Sequence, residues 1–210
     1  MARYTGAVCK LCRREGTKLF LKGDRCYSNK CSIERKDSLP GKNAKTTRIK
    51  KLSTYGIRLR EKQKLRKYYG LLEKQFKNYF QKAERKKGIT GENLLELLER
   101  RLDNVVFRLG ITKSKAQARQ LILHSHILVN GKKVNIPSYQ VKKDDVIELR
   151  EKSKKIQTII DSLDAIVRRG IPQWLEINKE KFKGEVLGVP VREDITLPIQ
   201  EQLIVELYSK

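Results

Sequence analysis

The chain of 210 residues holds 48 Lys and Arg against 24 Asp and Glu, a formal net charge of +24. A compact protein that basic repels itself unless a polyanion partners it, and nucleic acid is the first candidate. No run of more than three consecutive residues is apolar, which excludes a transmembrane helix, and the start has no apolar stretch of the secretory kind. The four cysteines are therefore expected in a reducing cytosol, where disulfide frameworks are rare. Two histidines in the whole chain leave little room for His-based metal catalysis.

The charge is graded. Residues 1–90 carry +20, residues 91–165 carry +4, and residues 166–210 are neutral. The front of the molecule reads as a surface for phosphates and the back as a surface for protein. Residues 1–50 have little periodicity, and Lys36–Thr54 reads as loop. Ser53 is placed to cap a helix over Tyr55–Tyr69 that Gly70 ends. A second helix, Leu72–Lys87, shows a clear stripe of Leu72, Phe76, Tyr79, Phe80 and Ala83. The two form a basic helical hairpin. The pattern then predicts a helix over Glu92–Leu109 and one from Ser114 to His124, with Lys115 and Arg119 on its outer face. After that the period changes. Ile127-Leu128-Val129 meets Asn130-Gly131, a strong hairpin signal, and Val146–Leu149 is another strand. A helix over Ser153–Arg168, an irregular stretch and a last short helix, Ile199–Tyr208, complete the chain.

All four cysteines lie in two close pairs, Cys9-x2-Cys12 and, thirteen residues on, Cys26-x4-Cys31. Such pairs suit a tetrahedral ion held by four thiolates, and a closed site of that kind is structural. Lys10, Arg13, Arg14, Arg25 and Lys30 favour thiolate over thiol. Zinc is the expected cofactor, with an iron–sulfur cluster as the alternative.

Residues 99–149 carry Arg100-Arg101-Leu102-Asp103-Asn104-Val105-Val106, Leu109-Gly110, Ala118-Arg119-Gln120-Leu121, His126-Ile127-x-Val129-Asn130-Gly131 and Pro137-Ser138-Tyr139. This run resembles the small RNA-binding domain named after small-subunit ribosomal protein four. Ser125 stands where a glycine commonly lies, and Lys143-Asp144-Asp145 replaces a common Gly-Asp turn. The resemblance extends to Arg3-Tyr4, Cys12-Arg13-Arg14-Glu15-Gly16, Arg25-Cys26-Tyr27-Ser28, Leu59–Arg66 and Leu197-Pro198-Ile199. It covers essentially the whole chain and matches the cysteine-bearing form of that ribosomal protein family.

The resemblance implies an α+β protein in four parts. These are a basic metal-binding arm (1–50), the first part of a mainly helical domain (51–90), an RNA-binding module (91–165) and a C-terminal segment (166–210). The module has two helices plus antiparallel hairpin strands and is inserted in the helical domain. The segment is expected to pack back on the hairpin's stripe through Trp174, Leu175, Ile177, Leu203, Ile204, Val205 and Leu207. The resemblance also implies a cytoplasmic, non-enzymatic protein that binds 16S rRNA at a helix junction of the 5′ domain and nucleates assembly of the subunit body. Ribosomal proteins five and three would be neighbours, the first bearing on decoding accuracy, and the path by which mRNA enters would lie alongside. Lys113, Lys115, Arg119, His124, His126 and Lys132 map onto the module's RNA face. Arg3, Arg13, Arg14, Arg58, Lys62 and Arg66 are the candidate RNA contacts of the basic front. The alternative is an accessory to an RNA-modifying or tRNA-charging enzyme that carries the same module.

Overall fold

The computed structural model describes residues 3–35, 39–41, 52–164 and 170–209. The chain divides into two compact units, one of Met1–Gly91 with Leu197–Lys210, the other of Glu92–Thr196.

In the first unit, helix α1 (Val8–Glu15) carries Cys9 and Cys12 one turn apart and ends at Gly16, whose φ of +66° is the left-handed conformation a glycine takes without strain. A 3₁₀ turn (Gly23–Tyr27) carries Cys26, and the short α2 (Ser32–Arg35) follows Cys31. The arm thus has more regular structure than its weak periodicity predicts. Most of the basic stretch Lys36–Thr54 lies outside the described residues. Helix α3 (Thr54–Tyr68) starts where Ser53 predicts, with the Gly56 N–H donating to Ser53 Oγ at 3.2 Å. Helix α4 (Glu73–Glu84) buries Phe76, Phe80 and Ala83. The last helix, α9 (Glu201–Tyr208), packs along α3. Its Tyr208 ring stacks 4.4 Å from Phe80 and 6.3 Å from Phe76, and its hydroxyl donates to Glu73 Oε1 at 3.4 Å.

In the second unit, five antiparallel strands run in the order β2-β1-β3-β5-β4. They are β1 (Ile127–Val129), β2 (Lys132–Lys133), β3 (Val146–Leu149), β4 (Leu175–Asn178) and β5 (Lys183–Val186). The hairpin turn has Asn130 at φ +50° and Gly131 at φ +74°, as a type I′ turn requires. Asn130 Nδ2 donates to Asp145 Oδ1 at 2.9 Å, and the Val146 N–H donates to Asn130 Oδ1 at 2.8 Å, which ties the turn to β3. Ser125 and Asp144, the two departures from the family pattern, both have positive φ (57° and 65°), so each holds a conformation suited to glycine.

Three expectations are corrected here. The single helix over 92–109 is two, α5 (Thr90–Glu99) and α6 (Leu102–Arg108). Arg101 between them is extended and bridges Gln140, while the Leu102 and Asp103 N–H groups donate to the Tyr139 and Pro137 carbonyls. The opening N–H groups of a helix need acceptors, and this loop supplies them. The helix over 153–168 is a 3₁₀ turn (Glu151–Ser153) followed by α8 (Gln157–Asp164), beyond which 165–169 lie outside the described residues. The C-terminal segment of 166–210, expected to pack back whole on the helical hairpin, does not stay together. Residues 170–196 belong to the second unit, where β5 pairs with β3 and covers an edge that would otherwise present unpaired backbone groups. Trp174 and Leu175 lie in that unit's core with Leu109, Ile147, Leu163 and Val186, and Ile177 packs against it. Gly184 lets β5 approach α6, since a Cβ there would lie 2.5 Å from Leu109 Cδ1. Only the segment from Leu197 onward belongs with the helical hairpin.

Candidate nucleic-acid interface

Helix α7 (Lys115–Leu123) was expected to face RNA, and Ser114 does cap it, accepting from the Gln117 N–H at 3.3 Å. Its two cations nevertheless turn inward. Arg119 is 7% exposed and lies 3.5 Å from Asp103 Oδ2. Asp103 also takes two hydrogen bonds from Arg101, at 3.0 Å from Nε and 2.6 Å from Nη2. Arg101 and Asp103 are 2% and 5% exposed. Beside them, Glu99 accepts from Arg108 at 2.9 and 3.2 Å and from Asn104 Nδ2 at 2.6 Å. Lys115 keeps part of its stem at the surface, but its ammonium nitrogen is enclosed, 5.8 Å from the centre of the Phe107 ring. Burial, only partly offset by Glu99, holds that amine well below the ordinary lysine range. Lys115 and Arg119 are therefore part of a buried charge network and not of an outer face. Four apart on a basic helix, they look solvated in sequence. The signal against that reading is the pair of carboxylates, Glu99 and Asp103, in an otherwise apolar stripe.

The other expected contacts of the module divide. Lys113 is half-buried, its N–H donating to Gln117 Oε1 at 3.0 Å. Lys132 and Lys133 are exposed on the edge strand β2, where lysine also protects an edge from unwanted pairing. His124 is exposed and half-buried His126 lies beside it, ring centroids 6.2 Å apart, with His126 Nδ1 2.8 Å from Ser153 Oγ.

On α3 the expected contacts are largely engaged within the unit. Arg58 pairs with Glu206 of α9 at 2.6 Å, and Lys62 and Arg66 both reach Glu73 of α4. Against the upward push of burial, these two cations hold the Glu73 carboxyl below the usual carboxylate range. Arg60 and Lys67 converge on Glu15, whose side chain is 0% exposed, so α1 is docked to α3 by one carboxylate. In the arm, Arg3 and Arg14 are exposed, while Arg13 is half-buried and donates to the Leu39 carbonyl at 3.0 Å. The exposed charge that the expected set omits includes Lys74, Lys77, Lys82 and Arg85 of α4 and its end, and Lys22, Arg25, Lys30 and Arg35 of the arm.

Cys12, Cys26 and Cys31 are buried and Cys9 is half-buried, all as free thiols. Burial pushes the Cys12 and Cys26 thiols up despite the nearby cations, contrary to the expectation of easy thiolate formation. Cys26 Sγ accepts the Lys22 N–H at 3.4 Å, and Cys12 is likewise hydrogen-bonded by Leu19 backbone. Among the described residues, no group of three or more His, Cys, Asp or Glu side chains is arranged to hold a metal ion. Four thiols in one small fold are, by donor chemistry, the set a structural zinc takes, and backbone N–H groups are aimed at two of them.

The second unit also has an open recess of about 490 Å³. Glu92, Glu96 and Glu193 line it together with Arg192, Val189 and Val191. Among the described residues no helix is long and apolar enough to cross a membrane.

Residues 3–99 match the family model described as ribosomal protein S4/S9 N-terminal domain, and residues 100–147 match the S4 domain. The chain is 66% identical to small ribosomal subunit protein uS4 of Desulforapulum autotrophicum, 64% to that of Citrifermentans bemidjiense and 63% to that of Geobacter sulfurreducens. Each alignment spans 210 residues and all of both chains. The module, the helical hairpin and the relatives matched end to end place this chain in the uS4 family of small ribosomal subunit proteins.

Proposed function

We propose that this chain is a non-enzymatic structural component of the small ribosomal subunit that binds 16S rRNA directly and early, at a helix junction of the 5′ domain. The observation that carries the reading is the division of its cations. Those of the α3 face and the module's centre are paired with carboxylates, whereas most of those of the arm and those of α4 and β2 stand exposed. Rigid helices displaying Lys and Arg grip RNA through phosphate and shape, without reading sequence. An accessory role beside an RNA-modifying or tRNA-charging enzyme is not favoured, because the relatives aligned over their whole length are ribosomal proteins.

The test is filter binding to a 5′-domain 16S fragment across a salt series. Each neutralised phosphate contributes roughly 0.7–0.9 to the log–log slope. Removing Lys132 and Lys133 together, or Lys74 and Lys77, is expected to shallow it. A flat slope, or equal affinity for an arbitrary duplex of the same length, refutes the reading.

Finer assignments belong to it. Cys9, Cys12, Cys26 and Cys31 would hold one structural zinc, or less readily an iron–sulfur cluster, which when bound would fix the arm's fold. Elemental analysis of natively purified protein that finds neither metal refutes this. Ribosomal protein five would be the neighbour at the recess of Glu92, Glu96 and Glu193. Acid around apolar side chains suits a basic protein and is repelled by RNA. Protein three and the path by which mRNA enters complete the proposed surroundings. Cross-linking within assembled subunits checks all three.

A further inference from the structure

We propose that Tyr27, backed by Phe20, is a stacking platform for an unpaired RNA base, with Arg25 and Arg35 placed to take the phosphates beside it. This rests on the RNA reading above and gives it a specific site in the arm. The two rings lie 4.9 Å apart at 28°, an offset stack. Tyr27 is 59% exposed although Cys26 before it and Cys31 after it are buried. The fold therefore anchors both ends of a short loop and leaves its one aromatic ring at the surface. Phe20 supports that ring from a left-handed backbone conformation, φ +49°, which a bulky residue rarely adopts. A ring already held by a partner loses little freedom when a base settles on it.

The same loop sets the cations. Arg25 Nε donates to the Lys30 carbonyl at 3.4 Å and Arg35 Nε to the Asn29 carbonyl at 3.3 Å. Each bond uses Nε, so the terminal nitrogens lie outside it. The loop itself is closed by the Cys31 N–H on the Ser28 carbonyl at 2.9 Å and by Ser28 Oγ donating to the Arg25 carbonyl at 3.1 Å. A surface ring on a loop that two arginines tie through Nε offers both parts of a single-stranded nucleotide a partner, the base and its phosphate. The excess of Lys and Arg over Asp and Glu in residues 1–50 favours a polyanion over a second protein as the occupant.

The test uses the full chain and the 5′-domain 16S fragment. Tyr27→Ala should weaken binding roughly 5- to 150-fold, the range of one base–aromatic stack. Its salt slope should be unchanged, because no phosphate contact is lost. Tyr27→Phe should stay within about twofold of the parent, since either ring can stack. Tyr27→Leu, which keeps apolar packing on Phe20 but has no π-face, should lose as much as Tyr27→Ala. Arg25→Ala with Arg35→Ala should lower the slope by roughly one to two. Ultraviolet cross-linking should place RNA on the Tyr27 peptide. If the parent binds and Tyr27→Ala binds equally, or Tyr27→Leu keeps parental affinity, the platform is refuted while the RNA reading stands. If Tyr27→Ala leaves RNA binding intact but weakens association with another subunit protein, the ring is a protein contact and the proposal falls. If the parent itself does not bind, both fall.

Discussion

Asp103 sits between the Arg101 and Arg119 guanidiniums in the interior of the second unit, and replacing it with Asn removes the carboxylate that both reach. Asp103, Arg101 and Arg119 are all at most 7% exposed, so water does little to screen the loss. Removing one member of a buried ion pair costs about 3–5 kcal/mol, because the remaining charges stay desolvated. Asn keeps the size and one acceptor oxygen, which puts the expected loss near the lower end, about 3 kcal/mol. At about 4 °C or more per kcal/mol for a unit near 100 residues, the midpoint should fall by about 12 °C or more. The chain's one tryptophan, Trp174, lies in this unit's core, so its fluorescence in a urea titration reports this unit. Adding Arg119→Met to Asp103→Asn should return about 1 kcal/mol or more by removing one of the two desolvated guanidiniums. A loss under about 1 kcal/mol, or one that shrinks in high salt as a surface pair would, refutes the account of a buried network.

Three further outcomes are expected. Lys115→Met should leave the second unit as stable or more so at neutral pH. In the parent, stability should rise as pH climbs from the depressed folded pKa of Lys115 toward about 10.4, since the unfolded chain binds a proton there that the folded one does not. That rise should be smaller in Lys115→Met, and urea titrations at several pH values decide it. Ser125→Gly and Asp144→Gly should each stabilise by roughly 1 kcal/mol, because each relieves a left-handed backbone; unchanged or lowered midpoints would count against the φ assignments. Glu15→Gln should loosen α1 from Arg60 and Lys67, so limited proteolysis should cut residues 8–15 sooner while Trp174 fluorescence is unaltered.

Local chemistry was the most legible part of this sequence. Ser53 and Ser114 announce their helices because a hydroxyl one residue ahead satisfies an N–H that would otherwise be bare. Asn130-Gly131 announces its turn because few other pairs accept two positive φ values. What was hidden is what tertiary partners decide. The break at Arg101 is drawn out by carbonyls more than thirty residues away, and no pattern within 92–109 contains them. Strands β4 and β5 are four residues each, too short for alternation to distinguish them from loop, and they exist because β3 offers an edge. The site shows the same division. Cationic composition identifies the class of partner, but whether a given Lys or Arg meets a phosphate or a carboxylate depends on the fold. Arg119 and Lys62 met carboxylates.

The second unit interrupts the first, and this sets an order of events during synthesis. Helix α3 leaves the ribosome making this chain long before α9, the helix that packs along it. About 130 residues separate them, which at roughly 5–20 residues per second is a wait of the order of ten seconds. The inserted unit has all its strands and its core in one contiguous stretch and can fold within that interval. The helical hairpin cannot finish until Tyr208 arrives to cover Phe76 and Phe80. For those seconds its apolar stripe is exposed on a nascent chain whose cations already attract RNA. Premature termination before Leu197 would thus release a finished module attached to an unfinished, sticky and highly basic half.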